Sequence, residues 1–190
     1  MLAKYKYLLT YRYSEIIHDL IVVFIKKYVL GSFSNLGRPD YRSADQMNQA
    51  ARSGKQNIVE AVGQSQTSKK GEIKLLGVAN ASLEELIVDL EDFLRQRGFR
   101  IYPKDDPRVT RFRQTAYRLS HLSNLSDLGN LKEKPELPEN PEEAANFLLT
   151  LCHLATFLLN KQIRKAEETF ITEGGYSENL FKRRLESKIH

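Results

Sequence analysis

Four long stretches of this chain repeat apolar residues every three or four positions, and none alternates with period two over a useful length. Such a pattern buries one stripe per helix and leaves no face for a sheet, so helices must cover one another. The first stretch runs from about residue 5 to 29, with Leu9, Ile16, Leu20, Val23, Phe24 and Lys27 in sequence along it. Two glycines and a proline in "LGSFSNLGRPD" then break the period. The second stretch covers about 42–64, with Ser43 or Asp45 as the expected N-cap. The third covers about 68–97, where Ile73, Leu76, Leu83, Leu86, Leu90 and Phe93 form the stripe and Gly98 suits a left-handed C-terminal cap. The fourth covers about 141–170 and has the clearest start. Asn140 is the N-cap, Pro141 the first position and Glu143 completes a capping-box-like arrangement. Its stripe is Phe147, Leu148, Leu151, Leu154, Leu158 and Leu159, fading near 169–173 before Gly174 and Gly175. A short helix over about 107–119 starts from Asp106 and Pro107. Residues 123–140 read as a surface connection, and "YSENLFKRRLES" as an amphipathic tail. The expectation is an all-α antiparallel four-helix bundle over 1–173, with one short extra helix and a C-terminal extension over 174–190.

Composition supports that reading and excludes others. The 190 residues suit a single core, and 41% hydrophobic with 28% charged residues is a globular balance. Cys152 is the one cysteine, so no internal disulfide forms. The start is broken by charges rather than built as a signal core, and the apolar run "LIVVFI" is far too short to span a bilayer. The expected setting is cytoplasmic, with no membrane partner. A formal charge of +5 permits phosphate contacts without requiring them.

The second stretch is unusual. Ala44, Met47, Ala51, Gly54, Ile58, Ala61 and Gly63 or Val62 recur at helical steps, and most are small. A glycine inside a helix costs about 1 kcal/mol against alanine, so Gly54 implies a close neighbour. The third stretch offers a matching region in Gly77, Ala79, Ala81 and Ser82, which predicts a close crossing of the two helices. Asn57 and Glu60 lie beside one small flank, and Ser82 and Glu85 beside the other. Two readings stand for them: hydrogen bonds that fix the register between helices, or simple solvation.

Nothing in the spacing selects a catalytic centre. Glu15-x-x-His18 is half of a di-iron pattern, but Arg118 and Thr150 precede His121 and His153 where a second glutamate is required. Cys152 and His153 are adjacent on one helix and point about 100° apart, which does not suit a nucleophile and its base. No phosphate loop, dinucleotide fingerprint, zinc spacing or nucleophile elbow is present. The expected chain has no catalytic residue, metal or cofactor. Its basic residues are more informative as a set: Lys69, Lys70 and Lys74; Arg108, Arg111 and Arg113; Lys182, Arg183 and Arg184. Arg95, Arg97, Lys161, Arg164 and Lys165 are ascribed instead to the negative ends of helices. Tyr102, Phe112 and Tyr117 interleave with arginines, which suits base stacking or an amphipathic helix with Val109, Phe112, Ala116 and Leu119 inward.

The segment "ARSGKQNIVEAVGQSQTSKKGEIKLLGVANASLEELIVDLEDFLRQRG" resembles the bacterial four-helix-bundle proteins. That family includes proteins encoded in intervening sequences of 23S ribosomal RNA genes and the accessory variability determinants of diversity-generating retroelements. Ala50, Ala51, Ser53, Asn57, Ile58, Glu60 and Gly63 carry the likeness in the second helix, and Ala79 with Ala81–Leu86 in the third. The "GKQNIVEA" version with Gly174 and Gly175 resembles the subgroup called the four-helix-bundle suffix domain. Gln49 departs from the basic residue usual before the alanine pair. The loop through Leu137 and the tail after Glu173 are longer than in the short members. The resemblance implies a ring-like homo-oligomer, commonly a pentamer; repeating the +5 charge of each chain in such a ring concentrates field on a shared face. For the retroelement members it implies binding to RNA or DNA and to a reverse transcriptase. It implies no catalytic site.

Overall fold

The computed structural model describes residues 3–31, 39–120 and 135–187. Much of the expected break at 30–40 and of the connection at 123–140, and the last three residues, lie outside these. The elements are α1 (Leu9–Phe24), whose last turn widens into a π turn at Ile25–Val29, α2 (Tyr41–Gln64), α3 (Lys69–Gln96), α4 (Pro107–Ser120), α5 (Pro141–Glu173) and α6 (Tyr176–Glu186). A single 3₁₀ turn, Lys4–Tyr7, precedes α1. No strand occurs among the described residues.

The four long helices run antiparallel to their neighbours. Ser53 meets Ser82 between α2 and α3, while Lys55 meets His18 between α2 and α1. Thr10 donates to Gln162, and Lys27 near the other end of the first helix reaches Glu139 just before α5. The Arg100 amide just past α3 donates to Glu142 at the start of α5. The order around the bundle is therefore α1, α2, α3, α5, with α4 laid on the first part of α5.

Local chemistry sets most helix ends. Ser68 accepts the Gly71 amide at the start of α3. At its end Gly98 adopts φ +68°, and the Gly98 and Phe99 amides return to Arg95 and Leu94 in the reciprocal pattern of a Schellman cap. Asn140 accepts the amides of Glu142 and Glu143, with Pro141 in the first turn of α5. The start of α2 differs from expectation. Asp40, not Ser43 or Asp45, is the cap: its carboxylate accepts both the amide and the hydroxyl of Ser43. Those bonds hold the Asp40 carboxyl below its usual range. The carboxylate satisfies a donor that Ser43 itself, now inside the helix, contributes.

The core is aliphatic with a few aromatics. Phe24 meets Phe93 edge-on at 4.7 Å, and Phe112 of α4 tilts against Phe147 of α5 at 5.3 Å. From Ala144 to Cys152 every residue of α5 is buried, because α4 closes the side that a four-helix bundle leaves open. In α1 the apolar run divides: Leu20, Ile21, Phe24 and Ile25 are buried, whereas Val22 and Val23 face outward. Val23 thus leaves the predicted stripe, since a helix of this run cannot bury six consecutive side chains against a single layer.

Gly54 is buried against α3, and a Cβ placed there lies 2.9 Å from Leu83 Cδ2 and 3.6 Å from the Ala79 carbonyl oxygen. Ala51, Ala79 and Ser82 are buried on the same seam. The close crossing is real, but one flank is narrower than expected. Ala81 and Gly77 are exposed, as is Gly63 on α2. The helical period carries Ala79, Ser82, Leu83 and Leu86 inward and rotates Gly77 and Ala81 out. Glu60 and Glu85 are also exposed and take no part in the seam. Asn57 bonds within its own helix, donating to the Ser53 carbonyl and hydroxyl. The cross-link is Ser53–Ser82 at 2.9 Å, and Ser82 bonds on to the Val78 carbonyl. One proton order satisfies the row: Asn57 donates to Ser53, Ser53 to Ser82, and Ser82 to Val78.

Two glycines on opposite sides of this seam respond in opposite directions. Gly54→Ala gains helix propensity of about 1 kcal/mol but pushes on a buried leucine, where overpacking costs about 1–3 kcal/mol. A net loss of about 1 kcal/mol is expected in urea unfolding. Gly77→Ala meets nothing within 4 Å. It is expected to stabilise by about 1 kcal/mol in the same measurement.

Candidate functional site

The nine basic residues singled out in the sequence separate into two groups. Lys69 and Lys70 stand in the first turn of α3, where the positive end of the helix macrodipole disfavours cations, and Lys74 follows in the second turn. Only Lys69 has an acidic partner among the described residues, pairing with Glu72 at 3.0 Å; Lys70 and Lys74 are exposed. At the other end of the chain, Gly174 takes φ +76° and terminates α5. Glu178 accepts the Gly175 amide at 2.9 Å, and Asn179 donates to the Glu173 carbonyl. These contacts turn the chain so that α6 comes back beside the α2–α3 turn. Lys69 and Arg183 then line one concavity of about 190 Å³ with Gln66, Tyr176 and Leu180. Lys182, Arg183 and Arg184 are all exposed, and so are Tyr176, Leu180, Phe181 and Leu185 on the same short helix. The start of α3 and the basic run of α6, more than a hundred residues apart in sequence, share one end of the bundle.

The α4 group lies towards the opposite end, beside the first turns of α5. Arg108 is already engaged. Its Nε and Nη2 donate to the two carboxylate oxygens of Asp106 at 3.0 and 2.8 Å, and its guanidinium lies 3.5 Å from the centre of the Tyr102 ring. The guanidinium holds the Asp106 carboxyl well below its usual range. Arg111 and Arg113 are exposed. The aromatic residues of this segment serve packing: Tyr102 is buried, Phe112 rests on Phe147, and Val109, Ala116 and Leu119 are buried as an inward face. Tyr117 alone of the three is exposed.

The ascription of the later basic residues to helix ends holds only in part. Arg95 lies in the last turn of α3 and Arg97 is its C-cap, stacked 3.9 Å from the Phe93 ring centre. Helix α5 continues to Glu173 and has no basic residue in its last turn. Lys161, Arg164 and Lys165 therefore stand too far from its end for the macrodipole to account for them. Lys161 lies over the exposed Phe157 ring at 4.5 Å.

The remaining motifs have separate surroundings. Glu15 accepts from the Tyr11 hydroxyl at 2.8 Å, and His18 Nδ1 lies 3.0 Å from Lys55 Nζ, so the pair does not converge. Among the described residues no three His, Cys, Asp or Glu side chains gather as metal ligands. Cys152 is fully buried and its thiol pKa is pushed up by that burial, while the adjacent His153 is exposed. No helix among the described residues is long and apolar enough to cross a membrane. Compared with protein-family models, curated proteins and solved structures, the chain matches none.

The His18–Lys55 contact has a measurable consequence. The ammonium must donate, so Nδ1 accepts and the ring is neutral. Burial first, then Lys55, lower the His18 pKa below 6.5. A histidine that resists protonation in the fold contributes full stability above the unfolded pKa, and that contribution declines as pH falls from about 6.5 towards the folded value. Urea midpoints at pH 7.5 and pH 5.5 for the wild type and His18→Gln are expected to show a smaller acid loss in the variant.

Proposed function

We propose that this chain is a non-enzymatic, oligomeric helical bundle that binds nucleic acid through the basic end formed by α3 and α6. One observation carries the reading: exposed Lys70 stands in the first turn of α3, where local electrostatics disfavours it, and α6, which carries exposed Lys182, Arg183 and Arg184, folds back so that Arg183 lines a concavity with Lys69. Exposed lysines and arginines gathered in this way attract phosphates, and each neutralised phosphate releases counterions. Tyr176 and Phe181, partly exposed on α6, supply flat apolar faces suited to stacking unpaired bases. Single-stranded RNA or DNA fits this combination better than a duplex. Arg111 and Arg113 form a secondary patch, and Arg108 is left out because Asp106 neutralises it.

Kinship with the bacterial four-helix-bundle family is part of the same proposal. It draws support from the antiparallel order of the helices and from the buried Ala51–Gly54 flank, and the outward Ala81 counts against a full match. The kinship carries with it a cytoplasmic setting, a ring of subunits, five in the commonest form, and a reverse-transcriptase-like partner. A ring repeats the +5 charge of each chain around a shared axis and strengthens the attraction for phosphate.

A second reading is a protein-interaction scaffold in which α6 is the docking element. The exposed Leu180, Phe181 and Leu185 favour it.

Fluorescence anisotropy with a labelled single-stranded oligonucleotide, over a salt series, tests the first reading. Binding is expected to weaken steeply with salt, and K182Q/R183Q/R184Q is expected to lower the log–log slope by about 2. No binding at low salt, or binding that ignores salt, overturns it. Loss of a protein partner with unchanged oligonucleotide binding, on deleting residues 174–190, favours the scaffold. Light scattering reports the subunit count, and a monomer removes the ring from the proposal.

A further inference from the structure

A second concavity lies at the other end of the bundle from α6, and it has a different chemistry. It encloses about 490 Å³ between α5, α4 and the segment 99–106 that joins α3 to α4. That volume falls within the range of small-molecule sites. Val109, Leu149 and Leu154 form an apolar floor, and Ile101 and Phe157 stand at its lip with about half their surface exposed.

The polar groups of the floor are already satisfied. Asn146 Oδ1 accepts the Tyr102 amide at 2.7 Å, and its Nδ2 donates to the carbonyls of Arg100 and Glu142. Thr150 donates to the Asn146 carbonyl. These bonds pin the joining segment to α5. The Asp106 cap and the Phe112–Phe147 contact fix α4 on the other side. The cleft is therefore held open between braced elements and presents hydrocarbon where a ligand's body would rest.

Its charges have one sign. Lys104 and Arg113 line the rim, no aspartate or glutamate lines the cleft, and neither cation stands in an ion pair among the described residues. The contrast with Arg108, nearby on α4 and bound by Asp106, is direct. An apolar trough with unneutralised cations at its rim is complementary to a molecule with a hydrocarbon body and one anionic head.

We propose that this cleft binds a small amphipathic carboxylate, with the hydrocarbon on Val109, Leu149, Leu154 and Phe157 and the carboxylate held by Lys104 and Arg113. The proposal does not rest on the nucleic-acid reading, whose main surface is α3 and α6; the two share only Arg113, which that reading places in a secondary patch. An uncharged apolar molecule fills the floor and leaves the rim unused. A polyanion such as an oligonucleotide satisfies the rim and leaves the floor exposed to water.

Isothermal calorimetry on the full chain, with decanoate and decanol as probes, tests it. Saturable one-to-one binding of decanoate is expected, with decanol about tenfold weaker because it lacks the charge-assisted hydrogen bonds. K104Q/R113Q changes only exposed residues and is expected to reduce decanoate to the level of decanol. L154W fills the trough and is expected to abolish both, with circular dichroism confirming that helicity is kept. Absence of decanoate binding, equal affinity for both probes, or decanoate binding indifferent to K104Q/R113Q overturns the proposal. If decanoate binds only on dilution, as the mass by light scattering falls, the cleft belongs to a second copy of the chain and the carboxylate assignment fails.

Discussion

The contact between α2 and α3 at Gly54 sets the geometry of the rest. Without a Cβ at that position, Leu83 and the Ala79 backbone of α3 come to the wall of α2 itself. A helix pair this close has little room for adjustment, because interiors are packed at crystal-like density. The Ser53–Ser82 hydrogen bond then fixes how far one helix slides along the other. Helix α5 meets α3, and α1 meets both α2 and α5, so the remaining neighbours are set against an already rigid pair. The row from Asn57 to Val78 satisfies its own donors in sequence, so polar groups enter a tight seam with partners for each donor.

Helix positions were largely legible in the sequence because each is marked twice, by an apolar period and by a cap. The Gly98 turn and the Asn140 cap are cases where residue type alone points to the observed backbone. The errors arose where chemistry allows more than one solution. Ser43 is a sound N-cap by type, but Asp40 three residues earlier offers two carboxylate oxygens, and one of them accepts from Ser43. Ala81 and Gly77 have the size that suits the seam, but the direction of a residue on a helix depends on phase, which turns both outward. Ser53 carries the cross-helix bond, and in the sequence it stands out only among the residues of the family likeness, without a contact assigned to it.

The two ends of the bundle show how tertiary structure sorts residues that sequence lists together. Nine cations looked alike as a composition. The fold neutralises Arg108 with Asp106, leaves Arg113 beside Lys104 at the rim of an apolar cleft, and brings Lys69 and Arg183 into one concavity at the other end. That gathering depends on a left-handed turn at Gly174 and on Glu178 reaching the Gly175 amide. In the sequence the glycine pair reads as a helix stop and as a mark of the suffix subgroup, and neither reading specifies that α6 returns to the start of α3.

The uninterrupted burial of α5 from Ala144 to Cys152 divides that helix into two regimes. In the first, every side chain is buried, and only Asn146, Leu149 and Thr150 border open space, at the cleft beside α4; the other positions accept no added charge or bulkier side chain without displacing a neighbour. Beyond Cys152, outward residues away from the cleft, such as Asn160 and Lys161, are free to change at small energetic cost. A single rod thus joins a segment fixed by its surroundings to one open to diversification, and divergence among descendants of this chain is expected to accumulate along its distal half.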